Sequence, residues 1–313
     1  MHPSVPFAVP MARMLEYEST LLEAAVGLLL NETGFAPEPG MRVLVKPNLV
    51  SRVNAKLSCT HPLVVRAACV WLLERNARVT VADSPAFGSA LQVARAAGLD
   101  KALAPLGLQV RDLDKPEPLR LSFGGEIGIS GMALHADAIL NVPRLKAHCQ
   151  MRLTGAVKNL FGCVTGWRKA VAHARHGDQG RRFRSLLLEV ALTLPKTYSL
   201  LDAIRPMHRT GPVKGDPFDL GLLAACADPI ALDTAVYSLL DLVPEQVPLW
   251  AEALQQSLPG ADPANLYYPV ELPEEFNTDG FLLPEELEPE SFHPLRLARG
   301  RVRSFLERLG WRS

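Results

Sequence analysis

The chain has 313 residues, enough for one large domain or two small ones, and 48% of them are hydrophobic. Its 33 Lys and Arg balance its 33 Asp and Glu, so bulk attraction to nucleic acid or to an anionic membrane is excluded as the main design. No apolar run reaches the roughly 18 residues that a membrane-spanning helix needs, and residues 1–20 lack the features of a signal peptide. A cytoplasmic protein is expected.

Short apolar runs alternate with helical patterns along the chain. The run "MRVLVKPN" predicts a buried strand ending near Lys46, and "THPLVVRAACVWLLERNA" predicts a helix with Thr60 as N-cap and Pro62 in its first turn. Further strands are predicted at "RVTVADSP", "GLQVRDL", "ADAILNVP", "TYSLLDAI" and "LGLLAACAD", and further helices at "LQVARAAGLDKALAPLG" and "PIALDTAVYSLLDL". This alternation is typical of a mainly parallel sheet with helices on both faces, so the predicted fold class is α/β, with a C-terminal extension.

Charge is zoned along the chain although its sum is zero. Residues 144–184 hold ten Lys and Arg, three His and a single acid, whereas residues 262–290 hold nine acids and no Lys or Arg. Six Arg and one Glu follow from His293 to the end. We therefore predict an α/β domain over residues 1–260, and an acidic, proline-rich connection with a basic C-terminal helix over residues 261–313.

Polar side chains follow the C-terminal ends of five predicted strands. Ligands of open parallel sheets bind at this edge, so five contributing segments predict a binding site there. Asp228 precedes Pro229 and is equally well explained as a helix N-cap. The residues at the strand ends are Lys46, Asn48, Asp83, Ser84, Lys146, His148, Asp202 and Asp228.

The basic segment 144–184 is threaded with small and apolar residues, a pattern that favours contact with an anion over a solvated surface. Lys146 and His148 share one side of an extended run, and Thr154 and Lys158 are predicted four residues apart on one helix face. Lys169 and His173 repeat this spacing, and Asn159 adds a directional donor. Lysines suit a carboxylate or a phosphate, and histidines transfer protons or bind metal near neutral pH, although a structural role for both histidines fits equally well.

Eight motifs resemble, in order, those of the family described as domain of unknown function 362: "VLVKPNLV", "THPLVV", "VTVADSP", "LNVPRLKAH", "LTGAVKNLFG", "LLDAI", "GP…G" and "ADPIALD". The resemblance spans residues 42–240 and implies these site residues: Lys46, Asn48, His61, Asp83, Lys146, His148, Thr154, Lys158, Asn159, Lys169, His173, Asp202, Asp228 and Asp233.

Two features depart from what the resemblance implies. Many members carry a ferredoxin-like domain, but the five cysteines here are scattered without a C-x-x-C pair, so no iron–sulfur motif is present. An acidic residue is expected before the Gly-Pro, where Met207, His208 and Arg209 stand instead. This substitution puts a metal site using that acid in doubt and favours anion binding by the loop.

The sequence thus predicts an enzyme of unassigned class that binds a small carboxylate or phosphorylated substrate. The predicted catalytic residues are Lys146, His148, Lys158 and His173. The predicted substrate-binding residues are Lys46, Asn48, Ser84, Thr154, Asn159, Lys169 and Arg209. A divalent metal is a further prediction, with His61, Asp83, Asp202 and Asp228 as its ligands.

Two other functions stay open from the sequence. One is redox or cofactor handling with an iron–sulfur partner protein. The other is nucleic-acid binding by residues 144–184, which is disfavoured because aromatic residues make up only 6% of the chain and stacking platforms are few. No membrane partner is expected, and a homo-oligomer is compatible with the sequence.

Overall fold

A computed structural model describes residues 6–165 and 180–287 of the chain. Its helices are α1 (Ser19–Glu32), α2 (Ala55–Ser58), α3 (Pro62–Glu74), α4 (Ala90–Ala97), α5 (Leu99–Leu103), α6 (Gly131–Leu134), α7 (Ala156–Leu160), α8 (Arg181–Thr193), α9 (Pro229–Leu239) and α10 (Pro248–Gln255). Its strands are β1 (Phe7–Ala8), β2 (Met11–Arg13), β3 (Arg42–Pro47), β4 (Arg78–Asp83), β5 (Val110–Asp112), β6 (Pro116–Arg120), β7 (Glu126–Ser130), β8 (Ala138–Val142), β9 (Arg144–His148), β10 (Arg152–Thr154), β11 (Thr197–His208), β12 (Asp216–Pro217), β13 (Leu222–Cys226) and β14 (Leu266–Tyr267).

The central sheet is largely parallel, with the strand order β10-β9-β11-β8-β3-β4-β5. Strands β5, β4, β3, β8 and the start of β11 run parallel to one another. Strand β13 joins β11 antiparallel, and β2 joins β13. The α/β prediction with a mainly parallel sheet is confirmed.

Helices cover both faces of this sheet, because its strands are apolar on both sides. Val43 and Val45 of β3 pack in one cluster, with apolar residues of α1, α3, α4 and α5. Leu44, between them, packs in the other, with residues of α7, α8, α9 and α10. Burial on both faces explains why the strands have continuous apolar runs rather than alternating ones.

Strands β8 and β9 carry the chain past the C-terminal edge of the parallel sheet. Both pair with the long strand β11, β8 through Thr197–Ser199 and β9 through Asp202 and Met207, with a register shift between these two residues. Pro143 separates them, and its carbonyl accepts a hydrogen bond from the Asp202 amide at 2.9 Å. Residues of β9 therefore project around the edge where β3 and β4 end.

Residues 261–287 contain only short elements, and they contact the α/β domain. Strand β14 pairs with β1, the Phe276 side chain is buried, and the Leu282 carbonyl accepts from the Arg209 amide at 2.7 Å. The domain boundary after residue 260 stays a prediction, and the predicted basic C-terminal helix lies outside the described residues. Within residues 6–165 and 180–287, every helix is too short or too polar to cross a bilayer.

Candidate functional site

A buried ion pair joins the ends of β3 and β4. Lys46 Nζ lies 2.7 Å from Asp83 Oδ1, and the two side chains are 1% and 3% exposed. The Asp83 carboxylate also accepts from the amides of Leu49 and Ser84, each at 2.8 Å. Asp83 is thus fully engaged by one cation and two amides, and Ser84 is held beside it.

Asn159 on α7 connects this pair to its surroundings. Its Oδ1 accepts from Asn48 Nδ2 at 2.8 Å and from Lys46 Nζ at 3.4 Å. Its Nδ2 donates to Asn141 Oδ1 at 2.7 Å, and Asn141 Nδ2 in turn donates to Ser199 Oγ at 3.1 Å. A chain of buried amides therefore links β3, β8, β11 and α7, and it fixes where each lysine of the edge can lie.

Lys146 on β9 is the second buried lysine of the edge, with 1% of its surface exposed. Its Nζ donates to Asn48 Oδ1 and, at 2.7 Å, to the Ser58 carbonyl. Both acceptors are neutral, and within the described part of the chain no carboxylate pairs with it. Burial lowers the pKa of Lys146 to about 7; the charges of Lys158 and Arg144 act in the same direction, and Cys59 and the Asp83 carboxylate oppose the shift.

Thr154 lies directly across from Lys146 in the β9–β10 pairing, and Arg152 lies across from His148. Opposite residues of an antiparallel pair have Cβ atoms about 4.5–5.5 Å apart. The Thr154 hydroxyl is buried and has no hydrogen-bond partner among the described residues. The His148 ring is buried and its Nδ1 accepts from the Gln150 amide at 3.1 Å, while Lys158 on α7 is partly exposed.

Two local predictions are corrected by this geometry. Thr154 ends strand β10 rather than beginning the helix, because the helix starts after Gly155, so it meets Lys146 rather than sharing a helix face with Lys158. Helix α3 is capped by His61, whose Nδ1 accepts from the Leu63 amide at 3.3 Å, rather than by Thr60. The Thr60 hydroxyl instead donates to the Val142 carbonyl at 2.6 Å.

A second polar cluster surrounds Asp202 on β11. Its carboxylate accepts from Arg144 Nη1, from the Tyr17 hydroxyl and from the His61 amide, each at 2.8 Å. The His61 ring stacks on Tyr17 with 3.6 Å between ring centroids, and burial lowers the pKa of His61 to about 4. The Arg144 and Asp202 side chains are 2% and 0% exposed, so this is a fully buried ion pair.

The four residues predicted as metal ligands lie in three separate groups of contacts. Asp83 contacts Lys46, Asp202 contacts Arg144, and His61 meets Asp202 only through its backbone. Asp228 accepts from the amides of Ile230 and Ala231, which confirms its interpretation as the N-cap of α9. In the ranges that the structure describes, no three His, Cys, Asp or Glu side chains group as metal ligands do. Metal binding stays a prediction.

The remaining predicted residues lie apart from these networks or outside the described ranges. Arg209 is exposed and lies 3.6 Å from Asp216 at the surface. Lys169 and His173 fall outside the described residues. Sequence reasoning missed Tyr17, Arg144, Ser58 and Asn141, of which only Asn141 carried a signal, as a lone amide in an apolar strand.

Gly162 allows the chain after α7 to approach the Lys46–Asp83 pair. A Cβ atom here would lie 2.3 Å from Lys46 Nζ and 2.6 Å from Asp83 Oδ1, so the buried ion pair would have to shift to admit it. We expect Gly162→Ala to lower the free energy of unfolding by about 1–3 kcal/mol in urea denaturation. Gly27→Ala on α1 is the control, because its Cβ would rest 3.4 Å from the Trp71 ring and should be neutral or stabilising. Equal losses in both variants would contradict the close approach.

Comparisons with known proteins give relatives and more distant structural neighbours. The thylakoid-associated protein sll1697 of Synechocystis sp. is 36% identical over 313 residues, covering 95% of this chain and 94% of that protein. The lactate racemase apoprotein from Thermoanaerobacterium thermosaccharolyticum is 13% identical with a TM-score of 0.42, covering 63% of this chain and 51% of that one. A protein from Thermotoga maritima is 11% identical with a TM-score of 0.41, covering 70% and 57%.

The chain therefore spans little more than half the length of either solved structure, whereas it aligns with the Synechocystis protein almost end to end. The model of the family described as "Domain of unknown function (DUF362)" matches residues 43–238, which contain both buried lysines, the amide chain and the Arg144–Asp202 pair. Since that match covers more than half of the chain, the protein belongs to the DUF362 family, as its motifs predicted.

Proposed function

We propose that the protein is an enzyme that binds a small anionic substrate, a carboxylate or a phosphorylated compound, at the C-terminal edge of the sheet. The observation that carries the proposal is the unequal pairing of its two buried lysines. Lys46 has the carboxylate of Asp83 as its partner, whereas Lys146 donates, within residues 6–165 and 180–287, to two neutral oxygens. Among the described residues, the charged form of Lys146 therefore has no carboxylate in contact with it.

An unpaired buried cation is costly, and an anionic ligand would remove that cost. Lys146 Nζ has three hydrogens and two protein acceptors, so an anionic oxygen would complete its hydrogen bonding. The Thr154 hydroxyl, buried opposite Lys146 without a partner among the described residues, is the neutral donor for the same oxygen. Lys158, whose charge acts on Lys146, adds positive potential from α7.

The same lysine is suited to proton transfer. A catalytic acid or base works best when its pKa lies near the operating pH, and Lys146 has a pKa of about 7. Preorganised charges in a water-poor site also stabilise charge that develops during a reaction. Lys146 would therefore bind the substrate in its charged form and exchange a proton with it, and His148 is the second candidate for that step.

Wild-type protein should bind sulfate, phosphate or malonate with uptake of a proton above pH 7. Lys146 is largely neutral there, and a bound anion stabilises its charged form, so up to about one proton is taken up per anion. Thermal shifts would rank the anions, since a ligand at about 100 times its Kd adds roughly 2.7 kcal/mol. Calorimetric titrations at pH 8, in two buffers of different ionisation enthalpy, would count the protons. Folded protein that no anion stabilises would contradict the proposal.

The other functional roles inferred from the sequence stay predictions. No contact among the described residues favours a redox role with an iron–sulfur partner, nucleic-acid binding, a divalent metal or a homo-oligomer. A cytoplasmic location likewise stays a prediction.

Sulfate is the anion to test first, because it remains a dianion across the pH range in which Lys146 titrates.

A further inference from the structure

Asp233 on α9 holds the start of α7 from outside that helix. Its side chain is 3% exposed, and its two carboxylate oxygens accept from the amides of Ala156 at 2.5 Å and Val157 at 3.0 Å. These amides open the first turn of α7, where backbone donors have no partner within the helix. A residue 77 positions away therefore caps the helix that carries Asn159 and Lys158.

Gly155 makes this contact sterically feasible. A Cβ atom at this position would lie 2.1 Å from Asp233 Oδ1 and 2.7 Å from its carboxyl carbon, so any larger residue would displace either the carboxylate or α7. From the capped end, α7 runs directly to Asn159, whose amide contacts Asn48, Lys46 and Asn141. A shift of α7 would therefore move the acceptor that holds Asn48, and Asn48 in turn accepts from Lys146.

The charges around Asp233 leave it without a cationic partner in the described residues. Asp228, near the start of the same helix, repels its charge, and the negative charge of Asp233 acts on the buried Tyr237 one turn further on. From α10, Glu252 bonds Ser185 and Gln256 instead, at 2.8 and 2.9 Å. Burial therefore raises the pKa of Asp233 to about 7, although its two amide bonds oppose this shift.

We propose that Asp233 is a positioning residue of the anion site, and that its ionised form holds α7 where Asn159 and Lys158 serve the bound anion. Protonation places a hydrogen on one of the two oxygens and weakens its bond to the α7 amide. The site then needs two protonation states at once, an ionised Asp233 and a protonated Lys146. This inference rests on the proposed function, and it adds a proton-linked control on substrate binding.

The test is the affinity of wild-type protein for sulfate from pH 5 to 9. A bell-shaped profile with its maximum near pH 7 is expected, because affinity falls as Asp233 is protonated and as Lys146 is deprotonated. In Asp233→Asn the affinity at pH 7.5 should fall about tenfold or more, and the acid limb of the profile should disappear. The alkaline limb, which belongs to Lys146, should remain. Asp262→Asn, which alters a carboxylate capping a short surface turn at Ala264, should leave the profile unchanged.

Hydrogen exchange at the Ala156 and Val157 amides gives a readout that needs no ligand. Both should exchange faster in Asp233→Asn than in wild type, because an amide side chain offers only one acceptor oxygen. The acid limb is measured on wild-type protein, so its absence overturns the inference even when the variant does not fold. Wild-type protein that binds none of sulfate, phosphate and malonate overturns the proposed function itself. Binding that Asp233→Asn leaves unchanged in strength and pH profile overturns only the role of Asp233.

Discussion

Replacing Asp202 with alanine is expected to destabilise the protein by about 3–5 kcal/mol, because it leaves Arg144 buried without its counter-charge. The same substitution removes the acceptor of the Tyr17 hydroxyl and of the backbone amide of His61, the N-cap residue of α3. Arg144 would keep its hydrogen bond to the Arg205 carbonyl. That acceptor is neutral, so this bond is too weak to replace the ion pair. Urea denaturation at pH 7 would measure the loss of stability. Asp202→Asn is the companion variant, because it removes the charge and keeps the shape of the side chain.

The chain offers a matched control in the exposed pair of Arg42 and Asp137. These residues contact each other at 2.6 Å, but their side chains are 60% and 39% exposed, and water screens such pairs. Asp137→Ala should therefore cost several-fold less stability than Asp202→Ala. A double replacement of Arg144 by Met and Asp202 by Leu should recover the part of the loss that comes from the unpaired charge, whereas the Tyr17 hydroxyl and the His61 amide would still lack their acceptor. Similar losses of stability in Asp202→Ala and Asp137→Ala would show that burial does not determine how much the Asp202–Arg144 pair contributes to stability.

Much of the site at the strand ends could be predicted from sequence, because chain direction alone places it. Lys46 and Asp83 lie at the ends of β3 and β4. Asn48 follows β3, Lys146 follows β8, and parallel strands bring their carboxyl ends to one edge. The partners of these residues could not be predicted in the same way. A carboxylate at a strand end has the same sequence signature whether it faces a metal or a guanidinium. Asp202 meets Arg144 because β9 pairs with β11 in a register that sets these two residues opposite each other, and no local sequence pattern specifies that register.

Capping of one helix by a residue of another helix could not be predicted from the sequence either. Asp228 precedes Pro229 and caps its own helix, so its role is local and was among the predicted alternatives. Asp233, five residues later, sits inside the same helix and bonds another helix across the core. Only the resemblance to DUF362 motifs predicts a role for Asp233 in the site, because no periodicity or spacing distinguishes it from a buried acid with a purely structural role.

Replacing Lys146 with methionine is expected to lower sulfate affinity at pH 7 by at least about 30-fold, since truncating one partner of a buried charged contact costs 2 kcal/mol or more. The same variant should be more stable than wild type at low pH. Lys146 has a pKa of about 7 when folded and an ordinary value of 10.5, so folding releases a proton between these pH values. The penalty for burying its charge is therefore complete below pH 7 and fades as the pH rises towards 10.5.

Lys146→Met removes that penalty, so its gain in the free energy of unfolding should be largest below pH 7, on the order of 5 kcal/mol before packing changes, and should shrink at higher pH. Lys101→Met, on the exposed side of α5, is the control. It should change the free energy of unfolding by no more than about 0.5 kcal/mol and leave sulfate affinity unchanged. Stability gained together with affinity lost would identify Lys146 as a residue kept for its ligand rather than for the fold. A variant that loses stability at pH 6 would show instead that the Lys146 charge is compensated within the protein, and the anion would then have no deficit to fill.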